Sequence, residues 1–598
     1  MKPIEAPEVR GVLACDDFRG QLRSMAEAVG RSPEDLLQDA VGHLAEMSAT
    51  HNPSFVDPWH RFGGWMLRGY DRLIDEEGLA NLRALDPGHS LVFLISHRSY
   101  LDEWAFPPAI VEQGIRAPFG FAGANMGFFP VGTIARRTGI VHIRRSTADA
   151  PVYKLVLRSY MRQLVARRAN LIWSIEGGRS RTGKLRPPRF GLLRYLVDAA
   201  EEVPSADVLL VPVSIVYDRL PTHEIEGMTA EARGQGKKPE DVKWFLGYLR
   251  GLRQRLGRVY VDFGEPIPLR ERLAQLRQES GADGTLVERI AVEVSHRINM
   301  ATPVTPTAAV CIAVLAADRA LTLDEVLTTI GPLASYLEAR DVPIAGAANL
   351  TDRATIRRAL QDLVQSGVLT SFSGETTVWG MTPGQHLVAA VYRNSAVHVL
   401  VERAILEIAM LRAAEAIGTE AAGTLEHALR LRDLLKFDFF FPSREQFAAN
   451  LRAELALIDP GTEGSALLAP EPAHHLGQID GFTAPLALRP FIDAYSVVAH
   501  QLNELGDAPL LDEAHFLDRC LVVGRQWALQ RLLASEESAS AEMFRVALRL
   551  AGHLGLLRED PVGLAAERAA FHEEIAGIRD IIARLADGVV PSAVAVPG

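Results

Sequence analysis

The sequence predicts an α/β domain with a largely parallel sheet, flanked by an N-terminal and a larger C-terminal region that are both mainly helical. Three observations carry this. Between residues 88 and 300 short apolar runs alternate with helical stretches, whereas on either side apolar residues recur at helical spacing without such runs. The composition, 48% hydrophobic and 23% charged over 598 residues, is that of a globular chain able to bury a sizeable core. It excludes a disordered, collagen-like or disulfide-stapled protein. We therefore read residues 1–87 as an N-terminal helical region, 88–300 as the α/β domain and 301–598 as a C-terminal helical domain.

In the first region Leu36, Leu37, Ala40, Val41 and Leu44 share a helix face, with Ser32 and Pro33 as cap and first turn. The expected strands are Ser90–Ser96, Phe119–Ala124, Ile140–Ile143, Asn170–Ile175, Val208–Tyr217 and Arg258–Phe263. Their alternation with helices implies a sheet covered on both faces. After Pro303 and Pro306 the expected helices include Val401–Ala416, Leu425–Leu435 and Ala541–Leu554, and Asp352–Thr376 reads as a helix plus hairpin. The longest apolar run, Pro306 to Ala317, stops at Asp318, short of the roughly 18–20 residues a membrane-spanning helix needs. Acidic residues near the N-terminus stand where a signal peptide needs an apolar core, so no secretory targeting is expected.

The net charge of −11 argues against a general nucleic-acid binder, yet residues 91–190 hold sixteen Arg or Lys against five Asp or Glu. So concentrated a basic window marks an anionic ligand. Cys15, Cys311 and Cys520 are far apart with no CxxC spacing, which disfavours a zinc site or disulfide framework and fits a reducing compartment. No metal site is expected: His142, His223 and His398 lack ligand spacing.

Leu91-Val-Phe-Leu-Ile-Ser-His97-Arg-Ser-Tyr-Leu-Asp102-Glu reads as a buried strand emptying into a turn, with a helix starting near Leu101. His97 thus sits at a strand's carboxyl end, the edge where open α/β sheets bind ligands. Asp102 could accept from one ring nitrogen and leave the other to take a proton from a hydroxyl. Five residues of continuous helix would rotate the pair about 140° apart, so the partnership needs the turn. A structural reading competes: Ser99-Tyr-Leu-Asp102 also fits a helix capping box, with His97 merely packed.

Two more basic groups follow apolar strands. Ile140-Val-His-Ile ends in Arg144 and Arg145, and Asn170-Leu-Ile-Trp-Ser-Ile-Glu176-Gly-Gly-Arg179-Ser-Arg181-Thr-Gly-Lys184 ends in a glycine turn with three cations. If the strands are parallel, these ends converge on one edge as a cationic nest for a phosphate. Pairing of Arg144 and Arg145 with surface acids is the alternative. Gly178 to Lys184 also fits seven positions of a Walker A loop, but Leu185 stands where a Mg²⁺-binding hydroxyl belongs and Arg186-Pro187-Pro188 obstructs the following helix. No Gly-x-Ser-x-Gly elbow follows a strand and no cysteine lies in the basic window, so direct attack by substrate is expected.

These residues resemble the bacterial and animal glycerol-3-phosphate 1-O-acyltransferases over about residues 90–270. Four blocks occur in the family's order: His97 to Asp102, Asn125 to Pro130 with Ile143 to Arg145, Glu176 to Lys184, and Val211-Pro-Val-Ser-Ile-Val-Tyr217; Val261 to Pro266 resembles a later segment. The resemblance implies that His97 is the general base on the sn-1 hydroxyl of glycerol 3-phosphate, with Asp102 its partner and no covalent acyl-enzyme. It implies a glycerol-phosphate site of Arg144, Arg145, Glu176, Gly177, Arg179 and Ser180, with Pro212 nearer the acyl donor; Arg181 and Lys184 are added on charge grounds. His142 departs from the family's usual aromatic residue. The oxyanion donor is expected to be a backbone N–H near the His97 turn.

No cofactor is implied beyond acyl-CoA or acyl carrier protein as co-substrate. The expected partners are glycerol 3-phosphate, that donor and a membrane surface, without nucleic acid; self-association is left open. Making a lysolipid without a spanning helix implies peripheral association with the cytoplasmic face of the membrane. Candidate contacts are Phe128-Phe129-Pro130 beside Arg136 and Arg137, and Leu434 to Phe441, whose aromatics equally suit a core cluster.

Overall fold

The strands form where runs of branched and aromatic residues can be covered on both faces. In the computed structural model, which describes residues 6–123, 131–144, 150–235, 247–249, 251–252, 254–280, 283–317, 319–382, 384–415, 423–459, 483–560 and 562–586, all six expected runs are strands. In chain order the main sheet contains β1 (Tyr70–Ile74), β2 (Ser90–Ile95), β3 (Phe119–Gly123), β4 (Ile140–Ile143), β5 (Leu171–Ser174), β6 (Val208–Tyr217), β7 (Gly257–Phe263) and β8 (Ile267–Pro268). β2 and β6 are buried along their whole length, as central strands without a wet face must be.

Their spatial order is β1-β7-β6-β2-β5-β3-β4, with β8 also on β6. The five strands β4, β3, β5, β2 and β6 run parallel; β7 and β8 lie antiparallel to β6, and β1 parallel to β7. The chain passes from β2 toward β3, β4 and β5 on one side and then to β6 on the other, so the order reverses at β2. Such a reversal is where open α/β sheets place their ligands, at the carboxyl edge. At the amino edge Asp86 binds Arg116 and Asn170, and these bonds outweigh burial to hold its carboxyl below the usual range.

β1 is a strand within residues 1–87, a region expected to be mainly helical, and pairs with β7. Only alternate side chains of Tyr70-Asp-Arg-Leu-Ile approach the core, so this five-residue edge strand lacks the apolar run by which the others were found. Upstream, Ser32 caps the helix Pro33–Met47 by accepting from the Asp35 N–H at 3.1 Å.

By compactness the chain forms two units. One takes in residues 1–179, 188–217 and 239–302, hence the N-terminal helices and the sheet; the other comprises 180–187, 218–238 and 303–598. In the second unit the helices Val401–Glu415, Thr424–Leu435 and Ala541–His553 lie where expected; a helix Arg353–Gln365 is followed by a hairpin of β10 (Thr370–Phe372) and β11 (Val378–Gly380), whose second strand lies past the expected end at Thr376, and β9 (Leu321–Thr322) adds to it. Leu434, Leu435, Phe439 and Phe441 are buried, Phe439 against Phe491 and Phe441 against Phe447 of the same unit, while Phe437 and Phe440 are half-buried. Among the described residues no helix is long and apolar enough to cross a membrane.

Candidate active site

β2 delivers His97 to the carboxyl edge through Ser96, whose hydroxyl accepts the Ile215 N–H of β6 at 2.9 Å while its own N–H bonds Val213. The ladder to β6 therefore runs one residue past the strand before the chain turns out. Asp102 opens the short helix Asp102–Ala105 and is 1% exposed. Its Oδ2 lies 2.8 Å from His97 Nδ1 and accepts the N–H groups of Arg98 at 2.8 Å and Ser99 at 3.1 Å. Its Oδ1 accepts the Tyr217 hydroxyl at 2.7 Å. Of the capping box only half forms: Asp102 accepts the Ser99 N–H, but the Ser99 hydroxyl accepts from Leu101 and not from Asp102, and the same carboxylate binds the imidazole, so His97 is not merely packed. With Asp102 ionised and the ring neutral, Nδ1 carries the proton and Nε2 keeps its lone pair. The His97 side chain is 27% exposed, so that nitrogen can meet a substrate.

Register sets the next neighbours. Ile95 pairs with Ser174 of β5, which puts Glu176 level with His97, and Glu176 Oε1 accepts the His97 N–H at 2.9 Å. Glu176 is itself buried and so reads as a brace for the turn. Arg98, buried between Glu176 and Asp102, is held below its ordinary value by burial against the pull of those carboxylates. Gly177 has φ +65°, and a Cβ there would come within 2.7 Å of Arg189 Cγ. Beyond it Arg179 lies over the Tyr100 ring at 3.8 Å and donates to its hydroxyl at 2.8 Å. Tyr100 sits inside the His97–Asp102 turn, so a guanidinium and the imidazole share one small neighbourhood.

Arg144 ends β4 at the same height, three strands and about 14 Å across the sheet from β2. Its guanidinium forks onto Glu46 at 3.0 and 2.6 Å, which, against burial, raises its pKa further, and it lies 4.9 Å over Tyr153. Arg145 and the Asn125–Pro130 block lie outside the described residues, and with them the Phe128–Pro130 membrane candidate. Pro212 sits within buried β6 opposite Leu94. Its carbonyl, and hence its missing N–H, faces the gap between β7 and β8, where it accepts the Gly264 N–H.

The remaining cations belong to the second unit. Ser180 donates to the Lys184 carbonyl at 2.6 Å. Arg181 pairs with Glu231 at 2.7 Å and Glu542 at 3.5 Å. Lys184 Nζ reaches Asp438 at 2.5 Å, beside Phe439 and Phe491. Gly183, at φ +82°, passes so close to Val391 that a Cβ would lie 1.8 Å from that carbonyl oxygen. No helix follows Lys184 until Gly191, as the Walker A reading would require.

The N–H groups of His97, Arg98 and Ser99 are all engaged by carboxylates, so the expected oxyanion donor is not among these three. Burial pushes the Cys311 and Cys520 thiols up to about 12, which makes both poor nucleophiles. On β4, burial and the Arg136 charge hold the buried His142 below its ordinary value. Sequence reasoning gave no role to Tyr217 or Tyr100; the signal for Tyr217 was a polar tip closing an apolar run at a strand's carboxyl end.

Residues 74–216 match the family model described as Acyltransferase, and residues 228–560 the one described as Glycerol-3-phosphate acyltransferase C-terminal region. Over 580 residues the chain is 48% identical to the protein named "Putative acyltransferase plsB1" in Mycobacterium bovis and in Mycobacterium tuberculosis, covering 95% of this chain and 92% of each relative. Among solved structures, the 1-acyl-sn-glycerophosphate (LPA) acyltransferase PlsC from Thermotoga maritima aligns over 98% of its chain and 48% of this one, at 16% identity and a TM-score of 0.23.

Proposed function

Because this chain belongs to the glycerol-3-phosphate acyltransferase family and is an acyltransferase, we propose that it moves a fatty acyl group from an acyl thioester to the sn-1 hydroxyl of glycerol 3-phosphate. The product would be 1-acyl-glycerol 3-phosphate, in the first step of phospholipid synthesis. One observation carries the reading: an imidazole whose Nε2 has no partner among the described residues, backed by a buried carboxylate, shares its turn with a tyrosine that holds a guanidinium. A short substrate bearing a hydroxyl at one end and a phosphate at the other suits that pairing.

In this reading Nε2 takes the hydroxyl proton as the oxygen attacks the thioester carbonyl. Asp102 stabilises the imidazolium that forms. The tetrahedral intermediate then expels the thiolate, which leaves with the proton from Nε2, so no acyl group passes through the protein. Arg179 would grip the phosphate, with Arg144 joining it by exchanging or sharing its Glu46 partner. No cofactor enters these steps. The lipid product and the absence of a spanning helix among the described residues support peripheral association at the cytoplasmic membrane face.

The test is an acyl-transfer assay crossing acyl-CoA and acyl carrier protein donors with glycerol 3-phosphate, dihydroxyacetone phosphate and lysophosphatidate. Glycerol 3-phosphate should give the highest kcat/KM. A preference for either other acceptor would reassign the substrate, and no thiol release with any of them would leave a lipid- or phosphate-binding scaffold.

A further inference from the structure

Asp102 is held unevenly. Oδ2 takes three donors, all from its own turn, whereas Oδ1 takes one, from a residue 115 positions later in the chain. We propose that Tyr217 is a positioning residue for the dyad, its hydroxyl fixing the plane of the Asp102 carboxylate and through it the tautomer and aim of His97. The proposal rests on reading His97 as the base.

Without the Tyr217 bond only the donors on Oδ2 resist rotation of the carboxylate about Cβ–Cγ. With both oxygens held, rotation must also break the buried bond to Oδ1. Among the described residues Oδ1 has no other partner, and its surroundings are buried, so the bond cannot be replaced by one to bulk water. The tyrosine is fixed in turn. It is the last residue of β6, 4% exposed, and its ring meets that of Tyr70 edge-on at 5.2 Å and 72°. Tyr70 begins β1, so the edge strand invisible to the apolar pattern supplies the wall against which Tyr217 rests. Two strands are thereby joined to the tautomer of one histidine.

The test compares Tyr217→Phe, which keeps the ring against Tyr70 and removes only the hydroxyl, in the native and the Asp102→Ala backgrounds. The expected result is a fall of about tenfold in kcat with both KM values within about twofold, and no further fall when Asp102 is absent. An unchanged kcat overturns the proposal, as does an equal fall in both backgrounds. A second measurement needs no turnover: the rate at which diethyl pyrocarbonate modifies His97, followed by mass spectrometry at fixed pH. Freed from Asp102, the ring can place its proton on Nε2, the nitrogen that Asp102 does not hold, so modification should slow at least about twofold in Tyr217→Phe. An unchanged rate overturns the proposal. Wild-type protein that transfers no acyl group defeats the proposed function alone, and the modification rate still decides the role of Tyr217.

Discussion

His97 is held twice, by its backbone through Glu176 and by its ring through Asp102. His97→Ala should therefore lower kcat by roughly 10²–10⁴-fold, with substrate binding little altered, as steady-state kinetics would show. Beside it, burial, with a contribution from the Asp102 charge, pushes the Glu103 carboxyl from 4.5 up to about 8. The folded state then binds a proton that the unfolded state has released. The stabilisation is complete below the ordinary Glu range and is lost as pH rises toward 8. Melting temperatures of Glu103→Gln measured between pH 5 and 8 should depend less on pH than those of the wild type. The dyad was legible in sequence because its two members are five residues apart and one turn joins them. Tyr217 was not, since its contact depends on how β6 lies against β2. Charge alone likewise could not separate Arg179, beside the imidazole turn, from Arg181 and Lys184, whose carboxylate partners lie far along the chain at Glu231, Glu542 and Asp438.

The turn after β5 is the element on which the site depends most. Two of its glycines have a left-handed backbone but face different obstacles. At Gly177 an added Cβ meets the stem of Arg189, which can swing away, whereas at Gly183 it meets the Val391 carbonyl, which cannot. Gly183→Ala should thus destabilise by more than Gly177→Ala, the latter costing about 1–2 kcal/mol of backbone strain, and denaturant unfolding of the two variants would rank them. Strands were legible to within a residue or two where both faces are buried, because the apolar run is then unbroken. β1, half wet and five residues long, has no such run. Pro212 shows how a proline is accommodated within a strand: its absent donor points to a place where two neighbouring strands leave a gap.

On the scale of the whole chain, Lys184 and Asp438 form a buried pair within the second unit, beside Tyr495, whose hydroxyl donates to the other Asp438 oxygen at 2.7 Å. Lys184→Met would leave that carboxylate uncompensated and should cost about 3–5 kcal/mol of stability, partly recovered in Lys184→Met/Asp438→Asn. Were Lys184 a phosphate ligand instead, KM for glycerol 3-phosphate would rise with stability unchanged. The pair secures one of two short excursions, residues 180–187 and 218–238, by which the chain enters the second unit before settling there from 303 onward. Two bodies whose segments alternate in this way cannot be parted by scissors. A cut after residue 302 strands two ribbons of the second body on the first fragment, and a cut before residue 180 takes β6 away from β2. Any shuffling of these two bodies must carry those ribbons with the body that houses them.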